Sequence, residues 1–158
     1  MTTSTRVVGG AAAVAASALL VLAVLAVAGP SAAAGEDEDR LRFHVEFSPP
    51  SYTDLGETGF SAADVLVFND HLLRDGRQVG HEVGSCVLVD ASGLSNCTGV
   101  ITLDGRGTIA FAFENAPPPE KTLAITGGSG DFGSAEGDGT LVENGDGTGT
   151  LTLSVDRD

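Results

Sequence analysis

The chain has 158 residues, with 22 acidic against 8 basic side chains, a formal charge of −14, two cysteines and no tryptophan. That length suits a single domain, and an acidic surface repels phosphate backbones, so nucleic acid is not an expected partner. Three scattered histidines and two cysteines have no metal-ligand spacing, and no cofactor motif is present.

Arg6 is the only charge in residues 1–34, and it precedes an Ala/Val/Leu run from Ala11 to Ala28. Gly29-Pro30 ends the run, and Ala32-Ala33-Ala34 offers small residues for cleavage. Residues 1–34 therefore read as a signal peptide, cleaved near Ala34 to leave a secreted, extracellular protein with no stable membrane insertion. No cysteine follows the cut, so a lipid anchor has no support. Losing Arg6 would take the formal charge from −14 to −15. Residues 35–40 form an acidic flexible leader, and 41–158 form the folded domain.

From Leu41 to Phe47 the chain alternates strictly, with Leu41, Phe43, Val45 and Phe47 on one face and Arg42, His44 and Glu46 on the other. This is a strand with one dry face. Ser48 to Gly59 reads as a loop, and Ala63 to Asn69 as a second strand ending before the Asp75-Gly76 turn. Gln78 to Asp90 predicts a long strand bent at Gly80 and Gly84. Cys97 to Leu103 returns antiparallel to it, and Thr108 to Glu114 runs out again after Asp104-Gly105. In that strand Ile109, Phe111 and Phe113 share a face, opposite Ala110 and Ala112. Pro117-Pro118-Pro119 is a stiff connection.

Thr122 to Gly133 organises the rest. Leu123 and Ile125 alternate with Thr122, Ala124 and Thr126, and the strand then meets Gly127, Gly128 and Gly130. Glycine lets a backbone turn or approach another strand without a Cβ clash. Phe132 follows as an aromatic plug, and a strand sealed in this way suits a closing β-barrel. Glu136 to Glu143 and Thr148 to Val155 flank a hairpin at Asn144-Gly145-Asp146-Gly147. The total is about eight short strands and no helix in the mature chain: an all-β, single antiparallel barrel.

Cys86 and Cys97, in an oxidising compartment, are expected to form a disulfide, with the Asp90-Ala91-Ser92-Gly93 turn between them. The glycine corner is no phosphate loop, because no Gly-Lys-Ser/Thr follows and it does not open a helix. The Asn144 loop is no EF-hand, since Val155 stands where the bidentate Glu is required. Ala110, Ala112 and Ala124 either line the barrel and leave room for a ligand or face outward, and both readings stay open.

Taken with Phe68-Asn69-Asp70, Val79-Gly80 and Gly84-Ser85-Cys86, the Gly-Gly-x-Gly-x-Phe corner resembles the allene oxide cyclase/dirigent barrel superfamily, more narrowly its small secreted bacterial members. The resemblance covers about Phe60 to Val155 and implies a calycin-type barrel. By the same resemblance Asn69 matches an active-site asparagine of the plant cyclases, Cys86 matches a pocket cysteine, and Glu46 could match their first-strand glutamate. It also implies a homotrimer as a candidate assembly. Three functions follow as expectations. The first is a barrel that binds a small apolar molecule and guides its cyclisation or coupling. The second is an isomerase of the allene oxide cyclase type with Glu46 and Asn69 as catalytic residues. The third is a solid-core extracellular protein.

Overall fold

The computed structural model describes residues 40–116 and 119–156. The expected signal peptide, most of the acidic leader, and Pro117 and Pro118 lie outside the described residues. Nine strands follow in order: β1 (Arg40–Glu46), β2 (Ser51–Thr53), β3 (Val65–Arg74), β4 (Arg77–Leu88), β5 (Ser95–Leu103), β6 (Gly107–Asn115), β7 (Glu120–Gly130), β8 (Glu136–Glu143) and β9 (Thr148–Asp156). Every pairing is antiparallel, and consecutive strands from β2 to β9 are neighbours. β1 pairs with β9 on one side and with β3 on the other, which closes an eight-stranded barrel with β2 as an extra short strand.

Alternation decides the inside. Leu41, Phe43 and Val45 of β1, Leu123 and Ile125 of β7, and Leu151, Leu153 and Val155 of β9 are all buried, while the residues between them face out. Ala110, Ala112 and Ala124 fall on the outer parity, opposite to Ile109, Phe111, Leu123 and Ile125, so they leave no interior room. Interior room comes instead from Gly84 and Gly99, which face each other across β4 and β5. A Cβ on Gly84 would stand 2.3 Å from Phe68 Cζ, and one on Gly99 2.5 Å from Phe111 Cζ. The two glycines make space for two inward rings.

The glycine corner closes one end of the barrel. β7 continues through it to Gly130, with a register shift opposite Ala110 and Phe111, and Gly130 takes a φ of +63°. Phe132 is then buried as the plug, with the Arg106 guanidinium 4.9 Å from its ring centre. A second irregularity sits between Leu72 and Leu73, opposite the segment around Gly80, and β3 itself runs five residues beyond the expected end at Asn69. Asp75 and Gly76 adopt positive φ in the two-residue turn that follows.

β1 and β2 share one edge of β3. β1 pairs with His71–Leu73 and β2 with Val65–Val67, so the four residues Phe47–Pro50 stand opposite the three residues Phe68–Asp70. Pro49 and Pro50 cannot donate to a ladder, and the wall is broken there. The loop beyond β2 is held by Asp64, which is fully buried. Its carboxylate accepts hydrogen bonds from Leu55 N, Ser61 N and the Tyr52 hydroxyl. These donors hold Asp64 below the usual carboxylate range, led by the Leu55 amide. Burial and the bonded Asp64 push the Tyr52 phenol up to about 12.

Candidate active site

The barrel is filled at the Phe132 end and hollow at the other. The hollow end holds a cavity of about 280 Å³, at the small end of the range for small-molecule sites. Phe47, Phe68, Phe111, Phe113, Leu66, Leu123 and Leu141 make its apolar wall. Two carboxyl groups, Asp70 and Glu82, enter that wall from β3 and β4.

Both acids are on inward parity. Asp70 shares a face with Phe68 and Leu72, and Glu82 shares one with Gly84 and Cys86. They are direct cross-strand partners, so their Cβ atoms are about 5 Å apart. Glu82 is 3% exposed and Asp70 5%. Among the described residues nothing donates a hydrogen bond to Glu82. Burial, and secondarily the charge of Asp70, push Glu82 up to about 8. Burial also raises Asp70, but Ser48 N donates to its Oδ1 at 2.7 Å and favours the anion. That amide is free because the strand breaks at Phe47–Pro50. The break, the amide and the acid pair form one local device: two buried carboxyl groups of unequal surroundings, Asp70 with a backbone donor that favours its anion and Glu82 without one.

The mouth carries a second polar group. Lys121, the only lysine, is 7% exposed on the inward face of β7, and its Nζ lies 2.7 Å from Oε1 of Glu143. Glu143 and Asn115 both line the cavity.

The expected site residues divide sharply. Glu46 and Asn69 are both exposed on the outer faces of their strands, so neither lines the cavity. Strand parity is the physical reason: a shift of one residue turns a side chain to the opposite face. Asp70, one residue beyond Asn69, takes the inward position. Cys86 does reach the cavity, bonded to Cys97, its register partner on β5. Gly127, Gly128, Gly130 and Phe132 build the closed end and take no part in the cavity wall. No group of metal-ligating residues occurs among the described residues.

No protein-family model matches the sequence, and no curated protein matches it. Solved structures do. A pyocyanin demethylase is 26% identical with a TM-score of 0.67, covering 74% of this chain and 99% of its own. The pterocarpan synthase dirigent protein PsPTS1 is 18% identical with a TM-score of 0.53, covering 73% of this chain and 91% of its own. The Diels Alderase AbmU from Streptomyces koyangensis is 14% identical with a TM-score of 0.56, covering 73% and 68%. The chain has the allene oxide cyclase/dirigent-like barrel fold. Within that barrel, the cavity and its acid pair are this chain's own candidate for chemistry.

Proposed function

We propose that the barrel binds one small, largely apolar molecule at its open end and moves a proton on it. Glu82, kept neutral, is the donor, and Asp70, kept ionised by the Ser48 amide, is the acceptor. A proton given at one ligand atom and taken from another leaves composition unchanged, so the natural reaction class is an isomerisation or intramolecular cyclisation without a cofactor. The aromatic wall would hold the ligand in the reacting shape and exclude water. The single observation that carries this reading is the pairing of two buried carboxyl groups, unequal in environment, inside an aromatic cavity. The names of the demethylase, the synthase dirigent protein and the Diels Alderase denote chemistry on small organic molecules, which supports the same reading.

The reading includes secretion with cleavage near Ala34 and assembly into a homotrimer. Exposed Val67, Val83, Val87 and Val100 on the outer faces of β3, β4 and β5 supply an apolar wall for that assembly.

Native mass spectrometry of the protein purified without denaturation tests the proposal. A co-purified or added fatty-acid or phenolic mass, held by the native protein and lost on denaturation, is the expected result. Turnover of that compound should fall by about a hundredfold or more in Glu82→Gln while its retention persists. A bare mass with every mixture tried would overturn the binding reading. Undiminished turnover in Glu82→Gln would overturn the proton-transfer reading alone.

A further inference from the structure

A second depression, of about 810 Å³, lies outside the barrel at the opposite end from the cavity. It opens where β1 loses its partner: β1 pairs with β3 only at His44–Glu46, so the Arg40–Phe43 edge has no strand on that side. Arg40, Arg42, Arg74 and Arg106 all line this trough, together with His44 and, among the described residues, a single acid, Asp75. Half of the 8 basic residues of a chain with 22 acids therefore converge on one place.

Their pairing is what marks the trough. Arg106 is held by Asp131 at 3.1 Å. Arg40, Arg42 and Arg74 form no ion pair among the described residues. Arg74 rests on an aromatic face instead, with its guanidinium 5.1 Å from the Phe43 ring centre. It also stands directly across the turn from Arg77, a like-charge pairing that works against the fold. Among the described residues the guanidinium groups of Arg40, Arg42 and Arg74 have no carboxylate partner, so their donors face the trough. Guanidinium groups present paired donors that match the oxygens of phosphate and sulfate.

We propose that this trough is a binding site for a compact oxyanion, a phosphate or sulfate ester group on a small molecule. A long polyanion fits less well, because beyond the trough it would run onto a surface whose formal charge is −14 for the whole chain. The site is separate from the acid-lined cavity and shares no lining residue with it.

The test is a titration of the full-length protein with inorganic pyrophosphate and, separately, inorganic sulfate, read by calorimetry and by amide NMR shifts. Expected is saturable binding, with shifts centred on Arg40–His44 and Arg74–Arg77. Affinity should fall as salt rises from about 50 mM to 200 mM, because screening weakens the attraction between exposed charges. The double variant Arg42→Gln/Arg74→Gln, with its fold checked by circular dichroism, should lose about tenfold or more in affinity, while Glu82→Gln binds as the parent does. No saturable binding, shifts centred elsewhere, or an unchanged double variant would each overturn the proposal. Tighter binding to a sulfated polysaccharide or to anionic vesicles than to pyrophosphate would overturn the compact-ligand assignment.

Discussion

Replacing Glu82 by Gln should make the barrel more stable, relative to the parent, at neutral pH than in acid. Glu82 ionises near the ordinary glutamate value of 4.5 when unfolded and only at about 8 in the barrel. A carboxyl whose folded value is raised favours the native state most below its unfolded value. Its contribution declines as pH climbs from 4.5 and is fully lost above the folded value of about 8. Each pH unit in that window costs about 1.4 kcal/mol. At pH 7 the accumulated cost is therefore about 3 kcal/mol, approaching about 5 kcal/mol at alkaline pH. Asp64, Asp90 and Asp146 are all lowered by hydrogen bonds, so they act with the opposite sign and at more acid pH, outside the window.

Thermal melts of parent and Glu82→Gln from pH 4 to pH 9 would read this directly. The curves should start together, apart from a constant offset for a buried amide, and then diverge to roughly 15 °C by pH 7.5. Asp70 leaves a smaller slope of the same sign in the variant, because its own value is raised by burial. Melting temperatures that run parallel across the whole range would mean that Glu82 ionises normally. Glu82 would then be ionised at neutral pH and have no proton to donate.

Two further changes test the parts that shape the cavity. Cys86→Ser/Cys97→Ser, or reduction of the disulfide, opens a loop with a sequence separation of 11 residues. It should cost about 3 kcal/mol in the chain-entropy treatment, read as a lower denaturant midpoint that reducing agent no longer shifts. Gly84→Ala places a methyl 2.3 Å from Phe68 Cζ and 2.4 Å from the Thr98 carbonyl. The variant should lose about 1–3 kcal/mol and bind cavity ligands more weakly, a result that calorimetry and ligand titration can check together.

The fold was legible because most strands obey the period of two. Leu41 to Phe47 and Thr148 to Val155 announce their inner faces in the sequence, and the barrel bears those faces out, whereas Thr108 to Glu114 leaves two readings open until Ile109 and Phe111 are seen buried. β2 was not legible, since its three residues are all exposed and follow two prolines; it exists because β3 offers it an edge. β3 read as stopping at Asn69 for a more informative reason. Asn69-Asp70-His71 looks like the start of a turn, yet Asp70 occupies an inward position that a pattern reader reserves for an apolar side chain. An acid there violates the rule for a stable core, and such violations are expected where a site is built.

The same reasoning recovers Glu82. The cysteine pair is visible in the sequence, and in the structure both partners are buried and joined inside the barrel. Cys86 thus fixes the parity of β4, and Glu82, four residues earlier, must share its face with Gly84. A glutamate on the dry face of a strand, beside a glycine that makes room, is a signal the sequence itself carries. Its partner was not. Only the register of β3 against β4 sets Asp70 opposite Glu82, and only the break at Pro49-Pro50 frees the amide that bonds to one of them and favours its anion. Parity along a strand is written locally, whereas register and a missing ladder bond belong to two segments at once. For that reason the sequence-level match stopped at Asn69, one position short of the residue that faces the cavity.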